Sequence, residues 1–346
     1  MAKITPMHQW YSARRTAGRA TLPWPTDKAA AERPSPAFER AVIEGLRHRP
    51  RRIPGQYLFD LQGSTLFERA AESPDYYLAR TELSLIHEHA AELARRMGPC
   101  PEVVEWGAGS MRVIRRLIEE MDQPVRYLPL GIGEAHLQAC ASGLQYDYPQ
   151  LEITPLTQDY TEALPLPARH ARAGRRIGLL GAATLGQFSR GDLDDRLPLW
   201  ARELRGGALI VTVDQLRLPG PLHLAYNDAR GLMAGFNLNL LQRLRHELGA
   251  EIDLSAFRHM AEYRPELQRV DFQLISLRAQ TIRLPAAQGP ADIELLAGEP
   301  IDTLQFHQHQ IDELMRSARQ AGFTPGPVWA DPQQRVVICW LAAPPL

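Results

Sequence analysis

Apolar positions recur along this chain with two different periods, and the alternation between them sets out the architecture. From Phe38 to His48, Ala41, Val42, Ile43 and Leu46 predict a short helix stopped by Pro50. From about Thr81 to Met97, a wide face of Leu83, Leu85, Ile86, His89, Ala90, Leu93 and Ala94 predicts a longer helix ended by Gly98 and Pro99. The short run "EVVEW" then reads as a buried strand. Glycines turn the chain into "MRVIRRLIEEM", where Val113, Ile114, Leu117, Ile118 and Met121 return at helical spacing.

The same alternation continues through "VRYLPLGI" (strand), "EAHLQACASGLQYDY" (helix), "LEITPLTQ" (strand), a loop around 161–174, "RRIGLLGAAT" (strand), "DLDDRLPLWARELR" (helix) and "ALIVTVDQL" (strand). Strands separated by helices at this spacing predict a doubly wound α/β domain with a mostly parallel sheet. The pattern then changes. "HLAYNDARGLMAGFNLNLLQRLRHEL" reads as two helical parts, "YRPELQRVDFQLISLRAQTIRL" alternates as a hairpin pair would, and "IDELMRSARQAGF" with "QRVVICWLA" supplies a last helix and strand. The predicted organisation is an irregular arm over 1–36, an α/β domain from 80–216 plus 306–346, and an inserted α+β lobe from 37–79 plus 217–305.

With 346 residues and 45% apolar composition the chain can bury a substantial core. Its 39 basic and 40 acidic residues nearly cancel, so nothing in the overall charge draws it to nucleic acid or to an anionic membrane. No apolar run reaches the roughly 18 residues that a membrane span requires. Three widely separated cysteines, Cys100, Cys140 and Cys339, show no metal or redox spacing and fit a reducing, cytoplasmic compartment. His307 and His309 in "FHQHQ" would share a face if extended, but no third ligand stands at a suitable spacing, and no metal is expected.

Candidate chemistry begins at "VVEWGAGSM", residues 103–111. In a doubly wound sheet the ligand lies beyond the carboxyl ends of the strands, where glycines let the backbone approach it. Gly107 and Gly109 are placed for this, but Arg112 occupies the third position of G-x-G-x-x-G, so the dinucleotide fingerprint fails.

Taken with "GSTLFE", "DYYLAR", "LTQDYTEALPLP", "AATLGQF", "AYNDARGLMAGFN" and "LLAGEPIDT", this stretch resembles the histidine-specific, S-adenosylmethionine-dependent methyltransferases, which trimethylate the histidine α-amine in ergothioneine biosynthesis. The likeness runs over roughly 38–346. It implies a class I methyltransferase-like sheet, S-adenosylmethionine as cofactor, and a small-molecule amine as substrate. It further implies that Glu105, Gly107, Gly109, Ser110 and Asp159 contact the cofactor, and that Tyr76 and Tyr226 position the substrate. Phe59, Gln187, Phe236, Leu304 and Phe306 fall at the remaining substrate positions.

Several of these positions depart from the family pattern. Gly131 in "YLPLGIGEA" stands where the resemblance places an acid on the cofactor hydroxyls. A hydrogen bond to a charged group is worth roughly 1.5–3 kcal/mol, so its loss predicts a hold weaker by one to two orders of magnitude unless Glu134 reaches back. Ala182 and Ala183 replace Gly-Ser, Gln187 replaces the asparagine that grips the substrate carboxylate, and Phe59 replaces a tyrosine. Leu304 and Phe306 replace the glutamate and serine that hold imidazole, which leaves a buried ring N–H unpaired and predicts an amine other than histidine. Two functions remain open: a diverged N-methyltransferase, or a catalytically degenerate relative that serves as a protein partner, regulator or ligand sensor.

Overall fold

In the computed structural model of the protein, residues 36–345 are described except 110, 161, 163, 164 and 286–290. The arm expected over 1–36 therefore lies outside the described residues, apart from Pro36, which opens the first helix.

In chain order, α1 (Pro36–Arg47), β1 (Arg51–Arg52), α2 (Leu61–Ala71) and α3 (Tyr77–Met97) lead into the sheet. The helix expected from Thr81 starts one turn earlier. Asp60 caps α2 by accepting from the Gly63 N–H, and Gly98 ends α3 at φ +76°, a conformation that glycine adopts at little cost. The α/β alternation continues through β2 (Glu102–Trp106), α4 (Arg112–Ile118), β3 (Arg126–Gly131), α5 (Glu134–Asp147), β4 (Glu152–Ile153), β5 (Leu156–Thr157), β6 (Arg176–Leu180), α6 (Ala182–Leu185), α7 (Arg190–Glu203) and β7 (Ala208–Asp214). The expected strand "LEITPLTQ" is split into β4 and β5, which pair with opposite ends of β3; Pro155 lies between them and has no N–H to give the ladder.

Then follow α8 (Pro219–Tyr226), α9 (Leu232–Glu247), β8 (Phe257–Arg264), β9 (Arg269–Ser276), β10 (Gln280–Leu284), β11 (Ala291–Leu295), β12 (Pro300–His307), α10 (Ile311–Gln320), β13 (Thr324–Ala330) and β14 (Val336–Ala342). The main sheet runs β13-β14-β7-β6-β2-β3-β4, with β5 also on β3. Its strands from β7 to β4 are parallel, and β14 and β13 add an antiparallel end. Strand β13 was not expected from the sequence because Pro325 and Pro327 interrupt it. A sheet edge tolerates them, since only one side of the strand is paired.

Two buried cores cover the two faces of this sheet. On β14, Val336, Ile338 and Trp340 join the core that holds α3, α4 and α5, whereas Val337, Cys339 and Leu341 join the one that holds α7 and α10. The period of two in a sequence apolar on both faces is what places helices on both sides. A second sheet, β1-β12-β9-β8, combines the pre-sheet segment with the later insertion, because β1 runs parallel to β12. Strand β12 extends to His307, two residues past the expected end of the lobe, and β10 leaves this sheet to pair with β11.

The parallel strands set the site. After β2 the chain goes outward to β3 and β4, then returns to β6 and β7 on the other side of β2. Connections therefore diverge at the carboxyl end of β2, the point where doubly wound sheets open a crevice for ligands.

Candidate active site

The turn from β2 into α4 forms the floor of the site. Gly107 has φ +72°, and a β-carbon there would stand 2.2 Å from Thr184 Oγ1, so both the backbone angle and the close approach of α6 require glycine. Met111 starts α4 in the left-handed region and puts its sulfur 3.2 Å from the Tyr127 hydroxyl. That hydroxyl also donates to Glu105 Oε2 at 2.6 Å. Ser110 lies outside the described residues.

Above this turn, a cavity of about 610 Å³ opens between α3, the β2–α4 turn and the ends of β6 and β7; Tyr76, Glu82, Glu105, Gly107, Thr184 and Thr212 are among its lining residues. Two of them are carboxyls removed from bulk water. Burial raises the Glu105 pKa to about 7, against the lowering effect of the Tyr127 hydrogen bond, and the nearby Glu82 carboxylate raises it further. Burial likewise raises Glu82, although hydrogen bonds from Thr212 and from the Ala182 N–H favour its charged form. Two carboxyls sharing one desolvated space make a site that favours a cationic ligand.

Tyr76 also lines the cavity. Its hydroxyl is buried, and among the described residues it makes no well-formed hydrogen bond. Burial, with Asp214 and Glu82 nearby, pushes its pKa far above the usual phenol range, so the group stays protonated. The ring meets Tyr226 edge-on, 5.7 Å between centroids.

A smaller cavity of about 100 Å³ adjoins the first and shares Phe67, Glu68, Gly107, Gly109, Ala183 and Thr184 with it. Phe59, Gly131, His136, Tyr160 and Gln187 complete much of its wall. Gln187 uses its Oε1 to accept from the Tyr160 hydroxyl at 3.0 Å. Asp159 precedes that tyrosine but is not on the wall of either cavity. Glu134 faces solvent and does not reach back toward Gly131.

The other positions implied for the substrate are drawn together but face one another. Tyr226 stacks on Phe306 at 5.3 Å, and both contact Phe272 edge-on. Phe236 packs against Phe59 and Phe67. Leu304 is buried close to the Gly55 backbone. Tyr226, Phe236, Leu304 and Phe306 thus form an aromatic and aliphatic wall behind Tyr76 and Phe59 rather than lining either cavity themselves.

Sequence reasoning passed over Glu68, Glu82 and His136. The two glutamates stand in or beside the stretches "GSTLFE" and "DYYLARTEL", where their presence was the available signal. Nothing local marked His136. Glu68 Oε1 lies 2.9 Å from His136 Nε2, and Cys140 Sγ lies 3.6 Å from the same nitrogen. Together Cys140 and Glu68 raise the His136 pKa to about 10. The ligand-type atoms of these three residues all fall within 4.8 Å of one another, a set that could also hold a metal ion. Of the pair singled out from "FHQHQ", His309 has its Nε2 3.0 Å from the Phe188 carbonyl oxygen, and the two rings are 6.5 Å apart.

A sequence profile of the histidine-specific, S-adenosylmethionine-dependent methyltransferases matches residues 38–343. The histidine N-alpha-methyltransferase of Mycolicibacterium smegmatis is 28% identical over 307 residues, covering 88% of this chain and 94% of that protein. Its counterpart from Mycobacterium tuberculosis is 29% identical over 271 residues, covering 77% and 83%. The N-methyltransferase fsqC of Aspergillus fumigatus is 22% identical over 302 residues, covering 85% and 80%.

Proposed function

Since the chain belongs to the histidine-specific, S-adenosylmethionine-dependent methyltransferase family, we propose that it is an active N-methyltransferase whose amine substrate carries a side chain less polar than imidazole. S-adenosylmethionine is the cofactor of the family and, when bound, supplies an electrophilic methyl group on a sulfonium. The observation that carries the reading is the cavity with Glu82 and Glu105 turned into it. A cationic cofactor and an amine are the ligands such a pair of buried carboxyls favours.

The residues present fit that cofactor. Gly107 and Gly109 leave the backbone open to it where the two cavities meet, Glu105 is the acid beside the turn, and Tyr160 lines the smaller cavity. Tyr76 offers a protonated hydroxyl, buried and otherwise without a well-formed hydrogen bond, with which to orient the amine nitrogen. Tyr226 stands behind it and fixes the ring. Methyl transfer to an uncharged amine needs alignment more than acid–base help, and rigid walls supply alignment. Leu304 and Phe306, closed into the wall, leave no polar group in their places for an imidazole and support an apolar side chain. Cytoplasmic location belongs to the same reading, supported by three cysteines that are all unpaired. Among the described residues no helix is long and apolar enough to cross a membrane.

Calorimetric titration with S-adenosylhomocysteine tests whether the chain works as a methyltransferase. The expected result is saturable one-to-one binding in the micromolar range. No heat and no shift in thermal midpoint would instead favour a degenerate member that keeps the fold as a partner or regulator.

A further inference from the structure

Strand β3 ends at Gly131 without a side chain, although the space is there: a β-carbon on Gly131 would meet the Ala108 carbonyl oxygen and a Leu137 methyl at no less than 3.4 Å, and φ is not in the left-handed region. No carboxylate therefore enters the smaller cavity from that strand. Helix α2 packs directly onto the same turn. A β-carbon on Gly133 would stand 2.4 Å from the Phe59 carbonyl oxygen and 3.4 Å from Ser64 Oγ.

One helical turn beyond Ser64, Glu68 lines both cavities and so stands where they join. Its Oε1 would lie 3.8 Å from a β-carbon on Gly109. The carboxylate is oriented by His136, which is rooted in α5 just past the turn that lacks the acid. Among the described residues Oε2 makes no hydrogen bond, so acceptor capacity remains on a group already held in place. A fixed carboxylate with free lone pairs accepts charge-assisted hydrogen bonds, and vicinal hydroxyls offer two donors side by side.

Resting on the methyltransferase reading above, we propose that Glu68, held by His136, supplies from helix α2 the carboxylate that grips the cofactor's ribose hydroxyls, in place of the acid that Gly131 lacks. Glu68 is then a binding residue and His136 a positioning residue. The alternatives are that the pair only ties α2 to α5, or that Glu68, His136 and Cys140 share a metal ion.

The test is a calorimetric cycle with S-adenosylhomocysteine and its 2′,3′-dideoxy analogue on the full chain. Wild type is expected to bind the natural ligand at least about 10-fold more tightly than the analogue. Glu68→Gln should weaken the natural ligand by about 10- to 100-fold, the range of a charged hydrogen bond, while leaving the analogue nearly unchanged. Gly131→Asp in the Glu68→Gln background should restore selectivity for the hydroxyls. Glu68→Asp, which keeps charge but shortens reach, should fall between and serves if Glu68→Gln does not fold. EDTA and added zinc should change none of these values. An equal loss for both ligands in Glu68→Gln, no loss at all, or wild-type binding abolished by EDTA would overturn the proposal while leaving the methyltransferase reading in place. Wild type binding neither ligand would sink both.

Discussion

At the residue scale, Glu105 joins the glycine turn to the larger cavity. Its pKa is raised to about 7 by burial, above the roughly 4.5 of an unperturbed glutamate. A raised carboxyl pKa means that the folded state favours the neutral form. The stability Glu105 contributes is therefore fully present below about pH 4.5 and is lost as pH rises toward 7. Glu105→Gln is neutral throughout and retains an acceptor for Tyr127. The stability of wild type relative to this variant should fall by up to about 3 kcal/mol between those pH values, measured by urea unfolding without ligand. A difference that stays flat or grows would mean that Glu105 is ionised in the fold. The glycines and Glu105 were legible in the sequence because a strand followed by a glycine turn is a local pattern. Glu68, Glu82 and His136 were not, because they line two adjoining cavities assembled from segments distant in the chain, and nothing local tells an inward side chain from a solvated one.

At the element scale, the parallel strands are tied together at the end opposite the site. Glu102, fully buried at the start of β2, accepts from Arg176 Nε and Arg126 Nε at 2.6 Å each and from the His170 N–H at 3.1 Å. Arg126 and Arg176 are its register partners on β3 and β6. Burial alone would raise the Glu102 pKa, but these hydrogen bonds outweigh it and the net shift is downward. Removing the charge leaves two enclosed guanidinium groups short of a partner, which costs about 3–5 kcal/mol. Glu102→Gln should accordingly lower the unfolding midpoint sharply, while the fraction still folded binds S-adenosylhomocysteine within about twofold of wild type. A large affinity change would mean that this end of the sheet is coupled to the site. Periodicity revealed the long helices and the central strands because their faces are buried consistently. It read β4 and β5 as one strand and missed β13, because prolines break the alternation there but leave edge or fragmentary pairing intact.

At the scale of the whole molecule, membership of the family fixes the fold and cofactor, while the proposed substrate rests on the wall behind Tyr76. The substitutions at Leu304 and Phe306 were visible in the sequence. What the sequence did not reveal is that Phe306 is packed with Tyr226 and Phe272, and Leu304 is buried in the same core, since packing between two strands of the second sheet and a helix has no local signature. The decisive measurement is methyl transfer from methyl-labelled S-adenosylmethionine to histidine and, in parallel, to amines with apolar side groups such as phenylalanine, leucine and phenethylamine. Labelled N-methyl product is expected from at least one apolar amine, at a kcat/KM at least about 10-fold above that for histidine, because a buried imidazole N–H is left unpaired. Efficient trimethylation of histidine, with no product from the apolar amines, would contradict it.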